Sequence, residues 1–220
     1  MSSFEQNRAP THADLYFDVV SPYAYLLDAV LRKEGFPLAI RLHPVLFAGL
    51  LEAHGNKGPA EIDAKREFTY QLCTWTGQLR GIPFMMPSLH PFNPLPYLRL
   101  IIALGSTSRA TSTVLDALWT TGCDPEDPAT WRSVLERLTV PDADERIADP
   151  QVKLQLRENT DKAVSLGIFG VPTLMVGKRL FWGLDALPMA RAYVDGDPRL
   201  STPAMHAASQ TRFGAKRRTR

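Results

Sequence analysis

Cysteine is nearly missing from this chain, with two in 220 residues, Cys73 and Cys123, far apart. Two isolated thiols exclude a disulfide framework and suit a reducing cytoplasm. Neither has a second ligand at zinc-type spacing, so no metal site is expected. No apolar run reaches the roughly 18 residues needed to cross a bilayer. The polar opening, with Glu5, Arg8 and Pro10, does not read as a secretory signal. An excess of one charge is missing as well, since 25 Lys and Arg face 23 Asp and Glu for a net +2. Much of that excess sits in Arg212, Lys216, Arg217, Arg218 and Arg220, expected to be a disordered solubilising tail rather than an arm for nucleic acid or membrane. What is present is ordinary: 45% hydrophobic and 22% charged residues, enough for one substantial core and an inserted subdomain.

The most informative segment lies near the N-terminus. Leu15-Tyr16-Phe17-Asp18-Val19-Val20 reads as a buried strand, and Ser21-Pro22-Tyr23 opens an apolar-periodic helix. Pro at the first helical position places Ser21 at the N-cap, where backbone N–H groups and the helix dipole favour an anion. Ser21 stands where a reactive cysteine of a Cys-x-x-Cys would stand, and Ala24 takes the second position, so dithiol redox chemistry is excluded there. A serine hydroxyl does not ionise unaided, but it donates well to an anion brought by something else, such as the thiolate of a bound small thiol. The alternative is a plain helix cap worth about 1 kcal/mol.

A second constellation lies far downstream. Gly167 to Val176 reads as a Gly-punctuated turn, a Val171–Pro172 bond and an apolar strand. Gly177-Lys178-Arg179 then turns into Leu180-Phe181-Trp182-Gly183, which completes a hairpin. A trans proline starting an edge strand is one reading. A cis bond would instead offer the Val171 N–H and C=O to an extended ligand, as in strand-like capture of a peptide.

Between these ends the pattern changes. A first βαβ unit uses residues 13–20, a helix from Pro22 to about Lys33, and a strand from Leu38 to Pro44, implying a parallel pair. Residues 48 to 167 show helical periodicity only, broken at Gly105, Gly122 and Pro125–Pro128. Asp127 is expected to cap one helix, and Asp149-Pro150 to start another that ends before Gly167. Asp185 to about Val194 closes the chain as a helix. Phe68, Cys73, Trp75 and Leu79 are expected to share one apolar helical face, with Cys73 in the core and Trp75 open to lining an aromatic pocket.

These motifs occur in the order found in one known group. Phe17-Asp18-Val19-Val20-Ser21-Pro22-Tyr23-Ala24-Tyr25, Gly55-Asn56-Lys57, His90-Pro91-Phe92-Asn93, Phe169-Gly170-Val171-Pro172-Thr173 and Phe181-Trp182-Gly183-Leu184-Asp185 together span about residues 12 to 195. The chain resembles the 2-hydroxychromene-2-carboxylate isomerases and kappa-class glutathione transferases of the DsbA-like thioredoxin superfamily. The resemblance implies an α/β thioredoxin-like fold with a large all-helical insertion. The thioredoxin-like domain would take residues 12–47 and 168–200, and the insertion 48–167, with disordered tails at 1–11 and 201–220.

The resemblance further implies glutathione as cofactor, its cysteinyl main chain on Val171 and Pro172 and its sulfur at Ser21. Trp182, Gly183, Leu184 and Asp185 would hold the γ-glutamyl end, with Asp185 on the α-ammonium; a simple helix N-terminal acid is the alternative for Asp185. Asn56 would contact the second substrate or the glutathione, and Lys57 would help bind a carboxylate there, although a loop Asn beside Gly is also an ordinary turn former. His90 and Asn93 fall where relatives place substrate-pocket groups, but they also suit a surface loop and a helix start. The implied activity is glutathione-dependent isomerisation of a conjugated aromatic acid, with conjugation by a kappa-like transferase as the alternative. A redox-inactive binding protein of the same fold is a third reading. Relatives are often dimers, which makes a homodimer the expected assembly. One departure from the family pattern is the segment Leu72-Cys73-Thr74-Trp75, where relatives commonly carry charge, and it bears on substrate identity.

Overall fold

The first strand ends earlier than its apolar run. In the computed structural model, which describes residues 10–212 and Gly214, β1 spans His12–Phe17. Asp18 stops it: its carboxylate accepts the Val20 N–H at 3.0 Å, and its carbonyl accepts the Ser21 N–H at 3.1 Å. That tight turn leads into helix α1, Pro22–Glu34, capped by Ser21 and closed with Arg32 and Lys33 in its last turn. The helix crosses over to β2, Ala39–Pro44, which pairs in parallel with β1. Strand β3, Thr173–Val176, joins the other side of β1 antiparallel, and β4, Arg179–Trp182, completes the hairpin. The order is β2-β1-β3-β4, with the site-bearing strand inside the sheet.

Strand periodicity of two sorts the side chains onto two cores. Ala13, Leu15, Phe17, Leu174, Val176 and Phe181 face one core with α1 and most of the helices. Tyr16 and Met175 face the other, with Val45, Leu50, Ala163, Ile168 and Val171. Among the described residues no strand lies between Pro44 and Thr173. That stretch holds α2 (Phe47–His54), α3 (Asp63–Arg80), α4 (Leu95–Ala103), α5 (Ser108–Trp119), α6 (Pro128–Leu138), α7 (Ala143–Ala148) and α8 (Pro150–Ser165). Asp127 and Asp149 cap α6 and α8 through the N–H groups of Ala129 and Gln151. Two helices follow the sheet, α9 (Leu187–Val194) and α10 (Pro203–Ser209).

Leu50 of α2 and Ala163 of α8 share a core with Tyr16 and Met175 of the sheet. Two expectations change. Residues 203–209 are not a disordered tail but an exposed helix capped by Thr202; the basic residues 215–220 lie outside the described residues, as do 1–9. On α3, Cys73 does not share a face with Phe68, Trp75 and Leu79. Cys73 and Gly77 point inward, whereas Phe68, Trp75 and Leu79 are 64%, 56% and 67% exposed. The spacing 68, 75, 79 is that of an apolar stripe, but the helix turns this stripe away from the core.

Candidate active site

Ser21 sits where the end of β1 and the start of α1 meet the loop before β3. Its Oγ accepts the Ala24 N–H at 3.3 Å and lies 3.4 Å from the Val171 carbonyl oxygen, to which its proton points. Both contacts are long for a hydroxyl, so the proton is loosely committed and can turn to a better acceptor. The side chain is nearly buried, at 7% exposure. Pro22 has no N–H, and the Tyr23 N–H has no partner among the described residues, as expected for the first turn of a helix. One hydroxyl and one free backbone donor therefore converge on a helix terminus, a setting that stabilises an anion.

The Val171–Pro172 bond is cis, and the Val171 N–H has no partner among the described residues. Gly183 donates to the Pro172 carbonyl at 2.9 Å, which draws the Trp182–Asp185 turn alongside the same loop. Gly183 has φ +84°, and a Cβ there would stand 2.5 Å from the Asp185 carboxylate. The Asp185 carboxylate thus lies back over the turn in space that only a glycine at 183 leaves open. The N–H groups of Leu184 and Asp185 also lack partners among the described residues. Trp182 lies half-exposed over Gly170, where a Cβ would meet its Nε1 at 2.7 Å, and packs edge-on against Phe169 at 5.1 Å.

Buried groups behind Ser21 hold it in place. Asp18 is fully buried, with its two oxygens on the N–H groups of Val20 and Phe47, at 3.0 and 2.8 Å. Burial outweighs those hydrogen bonds and lifts its pKa to about 7. The Val19 carbonyl accepts the Trp119 indole N–H at 3.0 Å, and the Val20 carbonyl faces His90 Nε2 at 2.8 Å. Tyr23 turns its hydroxyl to Cys73. Burial pushes the Cys73 thiol up to about 12, against the opposing effect of that hydroxyl, so it remains a thiol.

The structure brings Ser21, Val171, Pro172, Trp182, Gly183, Leu184 and Asp185 into one connected region. Asn56 and Lys57 are exposed in the turn after α2, where the N–H groups of Gly55 and Asn56 close the helix on Glu52 and Leu51. That turn is tied to the Val171 loop by His54, whose Nε2 donates to the Ile168 carbonyl at 3.0 Å. The other two expected pocket residues each have partners of their own. Asn93 is exposed and starts α4, its Oδ1 accepting the Leu95 N–H while its own N–H reaches Glu126. His90 is turned inward with both ring nitrogens engaged, one on Val20 and the other on Tyr70. Tyr70 and Trp119 escaped the sequence reading, because their partners lie 20 and 100 residues away and no local pattern marks them. Asp18 reads as part of the strand motif and not as the buried anchor of the turn.

Glutathione can be weighed against these groups. A small thiol peptide needs an anion site for its sulfur, a free strand edge for its backbone and donors plus a carboxylate for its amino-acid end. Ser21, Val171 and the Gly183–Asp185 turn meet those needs in that order, so the residues fit.

Residues 13–195 match the family model of the DSBA-like thioredoxin domain. The chain is 30% identical over 189 residues to a 2-hydroxychromene-2-carboxylate isomerase of Pseudomonas putida, covering 80% of this chain and 90% of that protein. It is 29% identical over 201 residues to glutathione S-transferase kappa 2 of Caenorhabditis elegans, covering 81% and 89%. A solved 2-hydroxychromene-2-carboxylate isomerase shares the fold, with a TM-score of 0.72 at 23% identity over 91% of this chain and all of that one.

Proposed function

We propose that this chain, which belongs to the DSBA-like thioredoxin domain family and within it groups with the 2-hydroxychromene-2-carboxylate isomerases and kappa-class glutathione transferases, is an enzyme that uses glutathione to isomerise a conjugated aromatic acid. The observation that carries the reading is the loosely held Ser21 hydroxyl at a helix terminus, 3.4 Å from the carbonyl oxygen of Val171, whose N–H has no partner among the described residues. When bound, glutathione supplies a sulfur nucleophile that adds reversibly to an electron-poor carbon and returns unchanged, allowing a bond to rotate in between.

The chain's own residues prepare that event. Ser21 turns its proton toward the sulfur and, with the Tyr23 N–H and the helix dipole, favours the thiolate; every tenfold gain in thiolate at a given pH corresponds to about 1.4 kcal/mol. Val171 pairs with the cysteinyl main chain, and Pro172 ends that short edge. Leu184 and Asp185 N–H groups receive the glutamyl carboxylate, while the Asp185 carboxylate receives the ammonium, and Trp182 walls the turn. Lys57 and Asn56, exposed beside the loop, suit the carboxylate of the second substrate. The reaction runs in a reducing cytoplasm, and the exposed stripe of Phe68, Trp75 and Leu79 supports pairing of two copies of the chain.

The near-equal likeness to a kappa transferase keeps conjugation as a second reading, and total thiol during turnover separates the two: constant for isomerisation, falling for conjugation. Calorimetric titration tests the shared step. Binding of glutathione in the micromolar to millimolar range is expected, and no binding at millimolar ligand would favour a redox-inactive binding protein instead. Ser21→Ala should retain the fold while raising the pKa of the bound thiol in an ultraviolet titration; an unchanged pKa would remove Ser21 from the chemistry.

A further inference from the structure

Two carbonyl groups immediately precede Ser21, those of Val19 and Val20. A carbonyl oxygen near an anion site opposes it, yet both are turned into the helical insertion. Trp119 holds the first through its indole N–H at 3.0 Å, and His90 holds the second through Nε2 at 2.8 Å. Nε2 faces a carbonyl and therefore carries the ring proton. Burial keeps the imidazole below its ordinary pKa and neutral, against the raising effect of the Val20 contact. Nδ1 is then free to accept from the Tyr70 hydroxyl, 2.5 Å away. Tyr70 and Trp119 also flank the His90 ring edge-on, at 5.2 and 5.6 Å. The ring therefore has one orientation.

The Val20 carbonyl belongs to the same peptide plane as the Ser21 nitrogen. Its direction sets φ of Ser21, which is −90° here, and so the direction of the hydroxyl. We propose that His90, backed by Tyr70, is a positioning residue for Ser21: it keeps the Val20 carbonyl turned away from the sulfur position and the hydroxyl turned toward it. Although built on the reading of Ser21 as the donor to sulfur, the role of His90 can be measured without glutathione. A released Val20 carbonyl is free to turn toward the sulfur position, where its oxygen disfavours the anion and raises the pKa of whatever thiol sits there.

The test uses full-length Ser21→Cys protein as a reporter, alone and combined with His90→Leu, His90→Gln or Tyr70→Phe. The pKa of the introduced thiol is read from the pH dependence of its alkylation. His90→Leu should lower the thiolate fraction about tenfold at a pH below the pKa. His90→Gln, whose amide can donate from nearly the same place as Nε2, should restore most of it. Tyr70→Phe keeps both rings in place and should give a smaller change of the same sign, and it serves if His90→Leu does not fold. An introduced thiol with the same pKa in all four proteins would overturn the proposal. Loss of glutathione binding by the wild type would overturn only the functional reading.

Discussion

Replacing Ser21 by Cys isolates the field of the helix terminus from the chemistry of any ligand. Two influences oppose each other at that position. Burial disfavours a thiolate, and the chain holds its own measure of this: Cys73, fully buried with no helix terminus beside it, is pushed up to about 12. That displacement from an ordinary thiol corresponds to about 4 kcal/mol. Position 21 is slightly more open, and it has what Cys73 lacks. The Ala24 N–H already reaches the Ser21 side chain at 3.3 Å, and the Tyr23 N–H has no partner among the described residues. Hydrogen bonds to a charged acceptor are worth about 1.5–3 kcal/mol each, and a partly buried helix terminus up to about 2 kcal/mol more. The stabilising side totals roughly 3–8 kcal/mol, and the middle of that range exceeds the cost of burial. The introduced thiol should therefore titrate near pH 7, below the ordinary value of about 8.5. With Ala24 in the second position no disulfide can form there, so the alkylation rate against pH, less the wild-type background from Cys73 and Cys123, reads the pKa directly. A value at or above that of a free thiol would refute the anion-site argument for this helix.

Two other outcomes can be checked on the same protein. Asp18 has a folded pKa of about 7 against an ordinary 3.8, so the fold holds its proton more tightly than the unfolded chain. Its contribution to stability is present in full below about pH 4 and is lost as pH rises through 7, on the order of 4 kcal/mol in all. The stability of wild type relative to Asp18→Asn, from urea unfolding at about pH 5 and about pH 8, should fall with pH; a constant difference would show that Asp18 ionises normally. Gly170→Ala would place a Cβ 2.7 Å from Trp182 Nε1, so Trp182 must move, changing its fluorescence and raising the KM for glutathione with little change in kcat. Unchanged fluorescence and KM would exclude Trp182 from the binding wall.

The parts of the fold legible in the sequence were those written in neighbouring residues. Ser21 before Pro22, Asp127 before Pro128 and Asp149 before Pro150 marked three helix starts, because a cap acts within one turn. Hairpin and cross-over strands were legible for the same reason. The end of β1 was not, since apolar Val19 and Val20 continue the pattern of a strand while Asp18 breaks it through its own side chain. The facing of α3 was also hidden: Phe68, Trp75 and Leu79 have the spacing of a core stripe, and only the packing of Cys73 and Gly77 inward shows that they lie outside. His90 and Trp119 could not be assigned from sequence because they meet Val20 and Val19 across separations of 70 and 100 residues. Aromatic and imidazole donors that serve a distant carbonyl leave no periodic trace.

Strand β1 runs inside the sheet, and the turn at its end is held from the side by Trp119 of α5 and by His90 in the loop before α4. The geometry at Ser21 is therefore tied to the packing of the helical stretch and cannot change independently of it. Any remodelling of residues 48–167 has to preserve the two grips on Val19 and Val20, or the turn that carries Ser21 moves with it.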